Sequence, residues 1–188
     1  MSMDHVHSLG DSWTCIESDG TNRGWQVYAG LEPAHRHGIP GSTARQWADD
    51  DGGILTDALA AMRRGDVVVV SLVGNDIRHA ADDGQISFGE IVSSTRALYH
   101  VVGRLLDAHV RPVLLVYADP YFGHRPEASA GVLLMGTIIR GVAAMHQVDM
   151  FDCQQILVSP VHFDGKDFHP TAAGHKAIAA AVEQEVNG

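Results

Sequence analysis

The sequence predicts an α/β protein in which a central parallel β-sheet lies between two layers of helices. Short β-rich runs alternate with longer helical patterns along the chain, as parallel strands joined by crossover helices do. The run at 67–73 is apolar at almost every position, which is typical of a strand buried on both faces. At 188 residues the chain suits one domain, which we expect to span residues 1–188.

Four strands are predicted from short apolar runs rich in β-branched residues, which pack well on a pleated sheet. The clearest runs lie at 67–73 and 112–117, and weaker ones lie at 5–9 and around 155–158. With the helical patterns between them, the predicted order is β, α, α, β, α, β, α, β, α. This order favours a three-layer α/β/α sandwich.

The helices are predicted from their end signals and their apolar spacing. A helix over 54–64 ends before Gly65, since glycine tolerates the positive φ of a helix terminus. Ser87 and Glu90 form a capping-box pattern, and the helix that follows has one face at positions 91, 95, 98, 102 and 105. Two further helices are predicted over 128–146, which is unusually apolar, and over 171–186, which is rich in alanine.

Charge and hydropathy exclude several classes of partner. Lys and Arg number 13 against 23 Asp and Glu, and the net charge of −10 repels nucleic-acid phosphates and anionic membranes. No apolar run reaches about 18 residues, so we expect no transmembrane helix. The first residues lack the basic and apolar segments of a secretory signal, which favours a cytoplasmic location. Cys15 and Cys153 are therefore expected to be reduced thiols.

Residues that can carry chemistry follow the predicted strands. Gly10-Asp11-Ser12 comes after the first strand, and Gly74-Asn75-Asp76 comes after the valine-rich strand. A loop with Gly41 and Thr43 lies between them, and His169-Pro170 precedes the last helix. Each piece alone is a common turn or helix start. Because parallel sheets bind ligands at the carboxyl ends of their strands, the four pieces can converge at one edge.

Together and in this order, the four pieces resemble the SGNH (GDSL) hydrolase family. The resemblance implies a flavodoxin-like sandwich and the hydrolysis of esters or acyl groups, with no metal or organic cofactor. It implies Ser12 as the nucleophile and His169 as the general base. It also assigns the backbone N–H groups of Ser12 and Gly41 and the side-chain amide of Asn75 to an oxyanion hole.

The chemistry of these residue types supports the same roles. A serine hydroxyl is a poor nucleophile at neutral pH and needs a base within hydrogen-bond reach, for which histidine is well matched. The tetrahedral intermediate carries a negative oxygen that oriented N–H donors stabilise. A glycine such as Gly41 lets a backbone N–H approach that oxygen closely, and Asn75 supplies a donor that does not ionise.

The carboxylate that would orient the histidine is left open by the sequence. The family usually has an aspartate three residues before the histidine, and that position is Lys166 here. Asp167 and Asp164 are both candidates, and a backbone carbonyl is a third, in which case the enzyme works as a Ser-His dyad. His162 offers an alternative register for the base, but the helix that follows His169 fits the family better.

The expected function is that of a small serine esterase acting on short-chain acyl or acetyl esters. The alternatives are an acyltransferase on the same scaffold and a non-catalytic module that binds an anion at the Gly10–Thr14 turn. Trp13 stands where the family name has leucine, and we expect it to pack beside the site. The motifs His5-Val6-His7 and His35-Arg36-His37 could hold a metal, but solvated or core histidines are the favoured interpretation. The expected partner is a small ester; the oligomeric state is left open.

Overall fold

The chain folds around a parallel β-sheet, in a computed structural model that describes residues 3–15, 20–21, 23–82, 86–120, 125–164 and 168–187. Within these residues the strands are β1 Val6–Gly10, β2 Arg36–Gly38, β3 Val67–Ser71, β4 Arg111–Val116 and β5 Asp149–Asp152. They pair in the order β2-β1-β3-β4-β5, and every pair is parallel. This is the doubly wound, flavodoxin-like order, so the predicted fold class is confirmed.

Two groups of helices cover the sheet. α6 and α7 pack on each other and on β4, whereas α9 packs on α2 and α8. Ser87 accepts a hydrogen bond from the Glu90 N–H at 3.1 Å and so caps α6 as predicted. In the described part of the chain the α-helices are α1 Ser12–Cys15, α2 Trp25–Tyr28, α3 Ala44–Ala48, α4 Ile54–Ala61, α5 Gly74–Asp82, α6 Phe88–Asp107, α7 Pro126–His146, α8 Cys153–Ile156 and α9 Ala172–Asn187.

The predicted strand around 155–158 is wrong. The last strand is β5, and the following residues form the short helix α8. Asp152 decides the boundary, because its side chain accepts a hydrogen bond from the Gln154 N–H at 2.9 Å and caps the helix. The edge strand β2 is absent from the predicted order, since three residues are too short to show a period. The helix α4 also ends at Ala61, three residues before the predicted end.

The sheet register brings the sequence motifs to one edge. Gly10 at the end of β1 pairs with Ser71 at the end of β3. The motifs at these two strand ends, Gly10-Asp11-Ser12 and Gly74-Asn75-Asp76, therefore lie side by side where the chain leaves the sheet. Val67, Val68, Val69 and Val70 are almost wholly buried beneath them, so the edge rests on a closely packed core.

The helix α7 is long and apolar enough to cross a membrane by length and composition. One face of it is buried in the core, however, through Val132, Ile138, Ile139 and Val142. Core helices can have the same length and composition, so these two properties are weak evidence for a membrane span.

Both cysteines are free and buried, so the prediction of two thiols holds. Burial raises the pKa of the Cys15 thiol to about 12, and it raises the pKa of Cys153 well above its usual value. Because the thiolate is the reactive form, both side chains act as packing groups at neutral pH.

The two His-x-His motifs meet at the amino-terminal edge of the sheet. His7 is fully buried, and its Nδ1 lies 3.2 Å from Nε2 of His37. Its Nε2 lies 3.1 Å from Oδ2 of Asp66, and its ring centroid lies 4.1 Å from that of His35, with the two rings tilted. Among the described residues no group of three His, Cys, Asp or Glu side chains is arranged to hold a metal ion. The favoured interpretation of His7 as a core histidine agrees with this burial.

We expect this histidine cluster to make the fold less stable in acid. Burial and repulsion by His7 and His35 lower the pKa of His37 from 6.5 to about 4, and burial lowers the pKa of His7 as well. Between about pH 6.5 and 4 the unfolded chain therefore binds protons that the folded chain does not, so the free energy of unfolding falls as the pH falls. Urea unfolding at pH 7 and pH 5 measures this loss.

A variant without His37 separates the contribution of this cluster to the pH dependence of unfolding from that of other titrating groups. His37→Asn should lose less stability than the unaltered protein over the same pH interval. His5→Asn, at an exposed position of the first motif, serves as the control. Equal pH dependence of the unaltered protein and His37→Asn would contradict the prediction.

Candidate active site

A serine and a histidine from opposite ends of the chain meet at the carboxyl edge of the sheet. Nε2 of His169 lies 2.7 Å from Oγ of Ser12, although 157 residues separate them. Ser12 begins α1 directly after β1, and His169 lies in the turn before α9. An imidazole nitrogen at this distance can accept the hydroxyl proton, so the pair has the geometry of a nucleophile and its base.

The turn that presents Ser12 requires glycine before it. A Cβ on Gly10 would overlap the carbonyl oxygen of Ser71 on the neighbouring strand. The close approach lets the Asp11 N–H donate to the same oxygen at 3.0 Å. The backbone then enters α1, where the Trp13 N–H donates to Oδ1 of Asp11 at 3.0 Å. Ser12 is thus held between two residues whose backbones are tied down.

Asp11 forms a second buried contact that the sequence analysis missed. Its Oδ2 accepts a hydrogen bond from the Tyr117 hydroxyl at 2.6 Å, and Tyr117 is fully buried just past the end of β4. Burial raises the pKa of Asp11 to about 7, against the opposing hydrogen bonds from Tyr117 and Trp13. A Cβ on Gly74 would lie 2.8 Å from the same carboxylate oxygen, so glycine is needed there too. The carboxyl group therefore joins the ends of β1, β3 and β4.

Asn75 ties the Gly41 loop to the end of β3. The asparagine is almost wholly buried, and its Nδ2 donates to the carbonyl oxygen of Ser42 at 2.9 Å. Gly41 has a φ of 79°, a left-handed conformation that favours glycine. The Asn75 amide has two hydrogens, so one remains for a group in the site.

Asp76 anchors the same loop from beneath. It is fully buried, and its Oδ2 accepts a hydrogen bond from the Ala44 N–H at 2.7 Å. Arg45 Nε lies 3.5 Å from its Oδ1. Burial raises the pKa of Asp76, and the hydrogen bond from Ala44 opposes this. The last residue of the third motif is therefore a structural anchor.

The Gly41 loop also contacts the Ser12 turn. The Ile39 N–H donates to the carbonyl oxygen of Gly10 at 2.9 Å, and Ser42 Oγ lies 3.4 Å from that oxygen. The three segments that carry Ser12, Gly41 and Asn75 are thus bonded to one another. A cavity of about 210 Å³ lies against this loop and is lined by Ile39, Pro40, Gly41, Ser42, Gln46, Asp51 and Ile54.

The two candidate orienting aspartates flank the segment 165–167 or lie within it. Asp164 is exposed and precedes the segment 165–167. Asp167 lies outside the described residues, as does Lys166.

His162 is not the residue that meets Ser12. It closes the turn Pro160–His162, where the Ser159 N–H donates to its Nδ1 at 3.4 Å. Its carbonyl oxygen accepts the Thr171 N–H at 2.8 Å. His162 therefore supports the segment that follows His169, and the register with His169 is the one that the structure brings to Ser12.

A family model and solved structures match this architecture. Residues 8–177 match the model of the GDSL-like lipase/acylhydrolase family. No curated protein matches the chain. The lipase/acylhydrolase from Enterococcus faecalis is 19% identical, with a TM-score of 0.71 over 96% of this chain and 94% of that one.

Two similar structures are named as acetyl xylan esterases. Axe2-W215I from Geobacillus stearothermophilus is 18% identical, with a TM-score of 0.72 over 96% of this chain and 93% of that one. AlAXEase is 17% identical, with a TM-score of 0.70 over 96% of this chain and 98% of that one. At these identities the likeness concerns the fold.

Proposed function

The chain belongs to the GDSL-like lipase/acylhydrolase family and is a carboxylic ester hydrolase, and we propose that it cleaves short-chain acyl or acetyl esters through an acyl-enzyme on Ser12. The observation that carries this proposal is the 2.7 Å distance between Ser12 Oγ and His169 Nε2. A non-catalytic module would have no need for a nucleophile and a base in this arrangement.

The proposed reaction has two halves. His169 Nε2 takes the proton of Ser12 Oγ as the oxygen attacks the ester carbonyl carbon. The tetrahedral intermediate then collapses, the C–O bond to the alcohol breaks, and the leaving alcohol takes the proton from His169. In the second half His169 takes a proton from water, the hydroxyl oxygen attacks the acyl carbon, and the bond to Ser12 Oγ breaks as the proton returns to it.

The negative oxygen of each intermediate would be held by three N–H groups. These are the backbone N–H groups of Ser12 and Gly41 and the side-chain amide of Asn75. Their segments are bonded to one another through Gly10 and Ser42. Donors held in this way need little reorganisation as charge develops, which is the main source of their effect.

The preference for short acyl groups rests on the space beside the oxyanion loop. The cavity of about 210 Å³ is lined by Gly41 and Ser42 of this loop, and we propose that it receives the acyl group. The acetyl xylan esterases with a similar fold agree with a small acyl group. A larger cavity of about 410 Å³ lies past the end of β4, between Leu133 and Val158. Rates with p-nitrophenyl esters from acetyl to dodecanoyl test the preference, and a maximum at long chains would contradict it.

Labelling by a fluorophosphonate tests the serine mechanism directly. The probe phosphonylates an activated serine, so we expect one label, on the peptide that contains Ser12. The rate of p-nitrophenyl acetate hydrolysis should fall in proportion to the fraction of protein that is labelled. Active protein that takes up no label would refute the serine mechanism. Adding an acceptor alcohol to the assay reveals an acyltransferase through formation of a new ester.

Asn75→Ala should lower kcat by about 10²- to 10³-fold, the usual loss when one oxyanion donor is removed. KM should change little, because the negative charge develops only after binding. The kinetic constants for p-nitrophenyl acetate measure this. Since Asn75 also bonds to Ser42, a thermal unfolding scan of the variant is needed as a control. An unchanged kcat in the folded variant would remove Asn75 from the oxyanion hole.

A further inference from the structure

We infer that Trp13 is a positioning residue that aligns His169 with Ser12 through a hydrogen bond from its indole ring. The inference rests on the proposed serine mechanism and adds a residue to it. The indole Nε1–H of Trp13 donates to the carbonyl oxygen of Phe168 at 2.9 Å. Trp13 directly follows the nucleophile in the chain, and Phe168 directly precedes the base. One hydrogen bond thus joins the two segments that must stay in register.

The indole has little freedom at its own end. Trp13 is 1% exposed, and its backbone N–H is bonded to Oδ1 of Asp11. Its ring meets the ring of Tyr117 edge-on, with the centroids 4.9 Å apart. Tyr117 is itself bonded to Asp11. The backbone of Trp13 and the ring that packs against its indole are therefore both bonded to the Asp11 carboxyl group, which also holds the turn with Ser12.

The acceptor end is packed against the same rings. Phe168 lies 5.7 Å from the ring of Trp13 and 5.9 Å from that of Tyr117. Phe163 lies 6.1 Å from Trp13 on the preceding segment. Aromatic pairs at such distances contribute packing but permit sliding. A hydrogen bond is directional, so the bond from Trp13 fixes the orientation of the Phe168 carbonyl group, which lies next to His169 in the chain.

The other side of His169 is held separately. Pro170 is buried, and the Thr171 N–H and hydroxyl donate to the carbonyl oxygens of His162 and Val161 at 2.8 Å and 2.7 Å. These bonds place the start of α9 but contain no contact with the nucleophile segment. The Trp13–Phe168 hydrogen bond, in contrast, joins the residue that precedes His169 to the residue that follows Ser12.

Leucine, which the family name has at this position, carries no N–H and could not make this bond. The consequence for catalysis follows from geometry. A reacting pair held about 1 Å out of place loses about 10²-fold in rate. Removing the indole N–H should therefore lower kcat and spare KM, because Trp13 is buried and does not need to touch the substrate.

Trp13→Phe is the test, with Trp25→Phe as the matched control. Both substitutions replace a buried indole by a smaller ring. The indole nitrogen of Trp25 is buried without a hydrogen-bond partner among the described residues, so its loss removes no such bond. We expect Trp13→Phe to lower kcat for p-nitrophenyl acetate by about 10- to 100-fold with KM within about twofold. The rate of fluorophosphonate labelling should fall in parallel, and Trp25→Phe should keep both rates within about twofold.

Two results would overturn the inference. One is a Trp13→Phe variant with kcat within about twofold of the unaltered protein. The other is an equal loss in both variants, which would mean a general loosening of the core. If Trp13→Phe does not fold, 3-benzothienylalanine at position 13, a tryptophan isostere with sulfur in place of N–H, should give the same fall in kcat, and an unchanged kcat would count against the bond. If the unaltered protein neither labels nor hydrolyses the ester, the serine mechanism and this inference fall together.

Discussion

Ser12→Ala is expected to lower kcat for p-nitrophenyl acetate by about 10⁶-fold, the loss seen when a serine hydrolase loses its nucleophile. The variant has no atom that can form the acyl bond, and His169 then has no hydroxyl group to deprotonate. The fold should persist, because the Ser12 side chain is only partly buried and its neighbours are held by Asp11. Burst-phase and steady-state assays, with circular dichroism for the fold, measure the two effects.

Ser94→Ala is the matched control for this substitution. Ser94 lies inside α6, and its hydroxyl donates to the carbonyl oxygen of Glu90 at 2.8 Å, so the change removes the same atom at a structural position. Its kcat should stay within about twofold of the unaltered protein, since alanine suits a helix interior. Undiminished turnover in Ser12→Ala would reject Ser12 as the nucleophile.

His169→Ala is expected to lower kcat by about the same factor, because Ser12 is a weak nucleophile without its base. The double variant Ser12→Ala, His169→Ala should be no slower than either single variant, since the two groups act as one unit. The variants should still react about 10³ to 10⁴ times faster than the uncatalysed reaction in water, because substrate binding and the oxyanion hole remain. Single-turnover assays of the three variants measure this lack of additivity.

His162→Ala is the control, because His162 is the histidine of the alternative register and its hydrogen bonds are with Ser159 and Thr171. It should keep kcat within a few-fold of the unaltered protein. A full loss in His162→Ala together with an active His169→Ala would show that the base had been assigned to the wrong residue.

The same assay decides which group orients the imidazole of His169. Asp164→Asn or Asp167→Asn should cost up to about 10⁴-fold in kcat, whichever removes the true partner, because the imidazole then loses its tautomer and its orientation. The other substitution should cost little. If neither variant slows the reaction, a backbone carbonyl holds the ring and the enzyme works as a Ser-His dyad.

Much of the fold could be predicted from local sequence patterns, and the errors in that prediction have local causes as well. The buried run that became β3 has apolar side chains on both faces, so the central strand was evident. β5 was not, because only Phe151 of its four residues is buried and Met150 is exposed at the sheet edge. The apolar run at 155–158 was mistaken for a strand because a short apolar segment has no period that separates strand from helix.

The sequence by itself determined the residue types at the site and the turns that present them. Ser12 and Asn75 follow β1 and β3, whose parallel pairing brings them to one edge, and that pairing can be inferred from the alternation of strands and helices. Gly41 follows β2, which the sequence did not reveal, so the place of its loop in the sheet came from the structure. Asp11 lies within the first motif, but no local sequence pattern indicated that its carboxyl group accepts a hydrogen bond from Tyr117.

Only the tertiary structure decided which distant groups meet. The contacts of Ser12 with His169, of Asp11 with Tyr117 and of Trp13 with Phe168 join residues 157, 106 and 155 positions apart. No local propensity specifies such pairs, because each depends on how whole helices pack on the sheet and on the loop closure that brings their ends together. The candidate residues of the site could therefore be named from the sequence, whereas their alignment depends on how the fold packs.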